Sequence, residues 1–306
     1  MSACTPLTPA AVAARVQEIY RILRNDERCS GPVGLIHNTA THKADGMRMV
    51  ERRCNASVAE TLGWSETNSW RAAVAWADDP DGAYKPAGGA VKIGNVYFGA
   101  AFMFDVILYD IFFRGAPSRP RRYFEMGARD GLAESNSIFF ERYLGWSGVL
   151  VEPTPMAKCL VPRNRPRATV VHGAIGPPGR HLEIPPGSKG MFMPAEWPAD
   201  CKLTSSDWRT PFYSWRNLSA AYDLDTVDLF SLDIDNENAM RMIFQEIDWD
   251  RFRPTVVIVE CKHRDCETLF KHHGFHTLIL ENNGKHSYYG DVLAWRHTCP
   301  RRAVGG

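Results

Sequence analysis

The 306-residue chain lacks an excess of charge of either sign: 36 Lys and Arg stand against 35 Asp and Glu, a net of +1. With so little net field there is no general attraction for nucleic acid or for an anionic membrane surface, and neither partner is expected. The short basic runs at 119–122 and 163–167 read as solvated loops rather than phosphate-binding patches. A long uninterrupted hydrophobic run is also missing. The most apolar stretch, 98–113, is short and contains Asp105 and Asp110, which argues for a buried or partner-facing helix rather than a bilayer span.

The first residues, M-S-A-C-T-P-L-T-P, have no charged region and no apolar region of the secretory kind, so no secretory signal is expected there. An organelle transit peptide is the weaker alternative. Thr8-Pro9 reads instead as a helix cap followed by proline at the first helical position, with Val12, Val16, Ile19 and Leu23 recurring at helical spacing. On that basis the eight cysteines are expected as reduced thiols in an intracellular compartment, cytoplasmic or organellar. Cys261, Cys266, His272 and His273 could hold zinc, but two would sit at a strand end and two down a helix. They read better as buried thiols and surface histidines, and no metal is expected. Asn55-Ala-Ser57 and Asn217-Leu-Ser219 match the glycosylation pattern, which means little in a chain that is not secreted.

No internal repeat is visible, and the organisation changes once along the chain. Residues 1–118 read as a mainly helical N-terminal extension. It has short helices around 57–62 and 69–77, and breakers at Asp78-Asp-Pro-Asp-Gly82 and Pro86-Ala-Gly-Gly89. Residues 119–306 alternate short apolar runs with helical patterns. Strands are expected at 122–126, 148–152, 169–173, 227–233, 255–260, 276–281 and 291–296, and helices at 135–144, 155–161, 238–247 and 264–273. Runs such as Thr255-Val-Val-Ile-Val259 are apolar on consecutive positions, as in a sheet covered on both faces. The fold class is therefore α/β, a doubly wound and mostly parallel seven-stranded sheet. The last two strands have no helix between them, which makes the final pair antiparallel.

The chemistry gathers in Y-F-E-M-G-A-R-D-G-L-A-E-S-N, residues 123–136. This is a strand-to-helix turn, at the end of the sheet where open α/β folds bind ligands. Its Glu-x-Gly-x-x-x-Gly spacing is not the Gly-x-Gly-x-x-Gly cradle of a dinucleotide site. Carboxylates at Glu125 and Asp130 would repel a phosphate, so the ligand is expected to carry a positive group, with glycine allowing close approach. Glu152 ends the next strand and suits a carboxylate receiving both hydroxyls of a ribose. A ribose, an adenine and a cationic amino-acid end together describe S-adenosylmethionine.

The block Y-F-E-M-G-A-R-D-G-L-A-E-S-N-S-I-F-F-E-R-Y-L-G-W-S-G-V-L-V-E-P-T-P closely resembles the opening of FkbM-type S-adenosylmethionine-dependent methyltransferases. V-D-L-F-S-L-D-I-D-N-E-N and I-D-W-D-R-F-R-P-T-V-V-I-V-E resemble that family's fourth strand, following helix and fifth strand. The resemblance spans roughly residues 105–297. It implies a Rossmann-like class I methyltransferase sheet, usually acting on an oxygen of a sugar, lipid or small metabolite. It also implies that Glu125, Gly127, Asp130, Gly131, Asn136 and Glu152 line the cofactor, with Asp233 at its methionine end. The chain departs from the family at Asn236, where glycine is usual, and at Asn238, where an acid is usual. Asp235 and His263, at the ends of the fourth and fifth strands, are the candidate catalytic residues. A catalytically silent subunit of a larger assembly, with the N-terminal region meeting a protein partner or a second copy, is the alternative.

Overall fold

A computed structural model describes residues 7–31, 52–77, 91–100, 103–116, 119–184, 197–234, 237–261, 265–280 and 290–296. Seven strands form the central sheet: β1 Arg122–Met126, β2 Ser147–Glu152, β3 Thr169–His172, β4 Leu229–Leu232, β5 Val256–Cys261, β6 His276–Leu280 and β7 Gly290–Trp295. They lie in the order β6-β7-β5-β4-β1-β2-β3. β7 runs antiparallel to both β5 and β6, and every other neighbouring pair is parallel. This is the Rossmann-like sheet of the class I methyltransferases, with its reversed strand inserted near one edge. The chain winds outward from β1 to β3, then returns to β4 on the other side of β1. That reversal opens a crevice beyond the carboxyl ends of β1 and β4.

Side chains alternate between the faces. Tyr123, Leu150, Leu229, Ile258 and Leu293 face one core, shared with Val16, Ile19, Phe98, Tyr109 and Phe139. Phe124, Val149, Phe230, Val257 and Val292 face a second core, filled by Trp215, Met240, Phe244 and Phe270. Both faces are dry, which is why the strands read as apolar at consecutive positions.

The N-terminal residues thus supply one wall of the main core. Helix Pro9–Asn25 begins as the sequence suggests, with Thr8 Oγ1 accepting from Ala11 N at 3.2 Å and Pro9 in the first turn. The apolar run continues as helix Phe104–Leu108 and a wider π-turn, Tyr109–Phe113. Its aromatic residues are used within the chain: Phe98 stacks on Phe139 at 4.3 Å, and Tyr109 meets the same ring edge-on at 5.2 Å. Its two acids have internal partners. Asp110 accepts from Arg15 at 2.7 Å and from Trp64 Nε1 at 2.6 Å, and Asp105 accepts from Ala100 N at 3.1 Å. Among the described residues no helix is long and apolar enough to cross a membrane. Four short strands, Cys29–Ser30, Arg52–Cys54, Val91–Ile93 and Val96–Phe98, form a small sheet beside these helices. The sequence had not suggested them.

Two further elements escaped the sequence reading: helix Trp215–Tyr222, and a three-stranded sheet of Ala174–Ile175, His181–Glu183 and Arg209–Tyr213. The helix expected at 155–161 is two short turns, Met156–Cys159 and Val161–Asn164.

The expectation of reduced thiols is corrected. Cys29 bonds to Cys54, Cys159 to Cys201 and Cys261 to Cys266, so all six cysteines among the described residues are paired. Strand register brings the first pair together, since Cys29 stands directly opposite Cys54. The Cys261–Cys266 bond also removes two of the four side chains of the zinc alternative, because sulfurs joined to each other are not thiolate ligands. His272 and His273 lie at the surface, as expected.

Candidate functional site at the strand ends

The turn after β1 is wound tightly. Gly127, Arg129, Gly131 and Glu134 all have positive φ, between 53° and 85°. Its amides are occupied. Gly127 N donates to Val151 O at 3.0 Å, Arg129 N to Glu152 Oε2 at 2.7 Å, and Leu132 N and Ala133 N to Asp130 Oδ1 at 2.9 and 2.8 Å. Asn136 N donates to Glu125 Oε1 at 3.0 Å. The turn gives its amides to carboxylates, where a phosphate cradle would leave them for a ligand.

Glu125 is 3 % exposed. Its oxygens are taken by the segment that follows: Ser135 Oγ donates at 2.9 Å, and Ser137 Oγ also donates to it. Residues 135–137 are held in this way rather than as helix, which is why the helix expected from 135 begins at Ile138. Beneath the turn lies Arg165, with no exposed surface. Its Nε donates to Glu141 Oε2 at 2.9 Å, Nη1 to Ser135 Oγ at 3.0 Å and to Gly131 O at 3.1 Å, and Nη2 to Ser137 Oγ at 2.9 Å. Tyr123 Oη donates to the same Glu141 oxygen. The basic run at 163–167 is therefore not uniformly a solvated loop: one of its three arginines is the buried anchor of the turn. Burial with an ion pair on each side separates a structural arginine from a surface one, and neither shows in the letters.

Gly127 is needed for a different reason than the one expected. A Cβ there would collide with the carbonyl oxygen of Asp233, at the end of neighbouring β4. The bare backbone lets the ends of β1 and β4 close on each other, with Asp233 N donating to Met126 O at 3.0 Å. At Gly131 a Cβ would stand 2.9 Å from Arg165 Cγ. Both glycines are required by close packing at these strand ends.

Glu152 sits at the carboxyl end of β2, 3 % exposed, with Oε2 on Arg129 N at 2.7 Å and Oε1 on Thr154 N at 2.8 Å. Burial pushes its carboxyl up to about 7, against the pull of these hydrogen bonds. The Thr154 hydroxyl also donates to this carboxylate. Asn136 lies 7 % exposed, Nδ2 donating to Ser231 Oγ of β4 at 3.0 Å. Its Oδ1 is buried with no hydrogen-bond partner among the described residues.

Four acids meet on the β4 side: Asp233, Glu260 of β5, Asp291 of β7, which is in register with Glu260, and Glu134 of the turn. The Asp233 side chain reaches solvent. Even so, enclosure by the surrounding chain, a hydrogen bond with the Glu260 carboxyl and the charges of its neighbours hold its carboxyl well above the usual range. Burial is the largest of these causes, followed by the hydrogen bond and the charge of Glu260. The result is an acidic corner at the ends of β4, β5 and β7. Glu134 and Asp291 were not singled out from sequence; Glu134 lay within the opening stretch, and Asp291 needed the β5–β7 register to place it.

The structure thus gathers Glu125, Gly127, Asp130, Gly131, Asn136, Glu152 and Asp233 at one crevice. Glu125 and Asp130 are engaged by their own turn, whereas Asn136 Oδ1 has no partner among the described residues. Asp235, Asn236 and His263 lie outside the described residues.

No protein-family model matches the sequence, and no curated protein matches it. Among solved structures the chain is similar to precorrin-6y C5,15-methyltransferase from Geobacter metallireducens GS-15. That match has 10 % identity over 59 % of this chain and 82 % of that chain, with TM-score 0.34. It is also similar to a putative tRNA (m1A22) methyltransferase, Sp1610, from Streptococcus pneumoniae (12 %, 61 % and 68 %, 0.33). A third is the S-adenosylmethionine-dependent methyltransferase SibL in its apo form (10 %, 59 % and 51 %, 0.31). At these scores the likenesses carry no argument, and the fold assignment rests on strand order and direction.

Proposed function

We propose that the chain is an S-adenosylmethionine-dependent methyltransferase of the FkbM type that methylates a hydroxyl on a sugar, lipid or small metabolite. The observation that supports this most directly is Glu152. It is a buried carboxylate at the end of β2, tied to the glycine turn after β1, a group whose acceptor oxygens suit the hydroxyls of a vicinal diol. The unpartnered Asn136 Oδ1 and the acidic corner at Asp233 also fit a ligand with N–H donors and a positive end.

When bound, S-adenosylmethionine supplies a methyl group on a sulfonium, so the leaving group is already cationic. The protein's task is then chiefly to position the acceptor in line. Glu152 holds the ribose hydroxyls, and Asp233 with Glu260 meets the ammonium end. Asp235 orients the acceptor, and His263 receives its proton where the hydroxyl is weakly acidic. The division into residues 1–118 and 119–306 belongs to this proposal, the first part covering the sheet and the second carrying the site.

A second reading, a silent methyltransferase-fold subunit, is favoured by one fact: the carboxylates of Glu125 and Asp130 are already consumed by their own turn. Labelled methyl transfer from S-adenosylmethionine to a panel of sugar, lipid and phenolic hydroxyls separates the two. Turnover that drops at least about a hundredfold in Asp235→Asn supports the enzyme. No turnover on any acceptor, with no binding of S-adenosylhomocysteine, supports the subunit.

A further inference from the structure

The three disulfides change the meaning of a motif. Pairs of this kind form and persist in oxidising compartments and are rare in a thiol-reducing cytosol. In an oxidising lumen an Asn-x-Ser tripeptide becomes a substrate for glycosylation. The chain has two in its described residues, Asn55-Ala56-Ser57 and Asn217-Leu218-Ser219.

We propose that Asn55 is an N-glycosylation site, modified in the compartment that oxidises the cysteines. Asn55 is exposed and follows strand Arg52–Cys54 directly, so it is next in sequence to the Cys29–Cys54 bond. It lies in a turn and not in a helix: Asn55 N donates to Arg28 O at 2.9 Å, and Val58 N donates back to Asn55 O at 3.0 Å. Its Oδ1 accepts from Ser57 N at 3.0 Å, which engages the carbonyl end of the amide and not the nitrogen that would carry the sugar. Asn217 is also exposed but stands in the first turn of helix Trp215–Tyr222, its backbone N–H bound to the Ser214 cap at 3.2 Å. A tripeptide already in a surface turn presents itself to a transferase with less unwinding than one in a capped helix.

The step needs a polyprenyl pyrophosphate-linked oligosaccharide as donor. Asn55 Nδ2 bonds to the anomeric carbon, the bond from that carbon to the pyrophosphate oxygen breaks, the amide loses one proton, and the lipid pyrophosphate leaves with the electron pair. Each disulfide forms by loss of two electrons and two protons from a pair of thiols to the oxidant of the same compartment.

The test uses the full chain purified from its own cells. Treatment with a glycan-releasing amidase in heavy-oxygen water should convert Asn55 to labelled Asp. The six paired cysteines should alkylate only after reduction. The Ser57→Ala protein from the same cells should lose the label while keeping its disulfides. Quantitative recovery of unmodified Asn55, label at Asn217 alone, label persisting in Ser57→Ala, or alkylation of the six cysteines without reduction would each overturn the proposal.

Discussion

The guanidinium of Arg165, with no exposed surface, donates through Nε to the Glu141 carboxylate at 2.9 Å, under the turn that follows β1. Glu141 is itself 1 % exposed, so this is an ion pair removed from water. Deleting one member of such a pair leaves a charge buried alone, at a cost of about 3–5 kcal/mol. Arg165→Met should therefore lower unfolding stability by that amount in urea titration. A loss below about 1 kcal/mol would mean that the pair is not what holds the turn.

Gly127 gives a second prediction. A side chain there meets the Asp233 carbonyl and imposes a positive φ of 81° on a residue with a Cβ. Gly127→Ala should cost at least about 2 kcal/mol of stability, seen as a lower thermal midpoint with no cofactor present. Unchanged stability with lost cofactor binding would restore the ligand-path role.

The pH dependence of stability has a defined sign. Burial raises Glu152 from 4.5 and Asp105 from 3.8, both to about 7. Between pH 4 and 7 the folded chain keeps protons that the unfolded chain has released. The contribution is therefore fully present below pH 4 and is lost as pH rises to 7, levelling above. Asp207, held down to about 2 by Lys158, acts in the opposite direction but only below pH 4. Urea midpoints at pH 4.5, 6 and 7.5 should fall in the parent and fall less steeply in Asp105→Asn with Glu152→Gln, where the raised carboxyl of Asp233 remains. An equal slope in both proteins would remove these two acids as its cause.

The disulfides should rank by the loop each closes. Their separations are 42 residues for Cys159–Cys201, 25 for Cys29–Cys54 and 5 for Cys261–Cys266. Loop-closure entropy gives about 4, 3.5 and 2 kcal/mol in that order. Paired Cys→Ser variants should lose stability in the same order in thermal denaturation. The reverse order would show that native-state packing, and not chain entropy, governs their effect.

The central strands were legible because they bury both faces: Val256 to Val259 and Val149 to Val151 are apolar at every position, and the observed bounds fall within two residues of those read from sequence. The chemistry of the turn was legible only in part. Glu152 could be placed from its spacing alone. Which way Gly127 faces could not, because its neighbour Asp233 arrives from about a hundred residues downstream through strand pairing. Arg165 looked like one of three arginines in a loop, and nothing local marks it as buried. The cysteine pairs were illegible for the same reason: Cys29 meets Cys54 through register, and Cys159 meets Cys201 from 42 residues away.

Titration calorimetry of S-adenosylhomocysteine against the parent and Glu152→Ala tests the central claim most directly. Two charge-assisted hydrogen bonds to a ribose are each worth about 1.5–3 kcal/mol. The parent should bind, and the variant, folded by circular dichroism, should bind at least about tenfold more weakly. Equal affinity in the two proteins, or no heat of binding in the parent, would contradict the account.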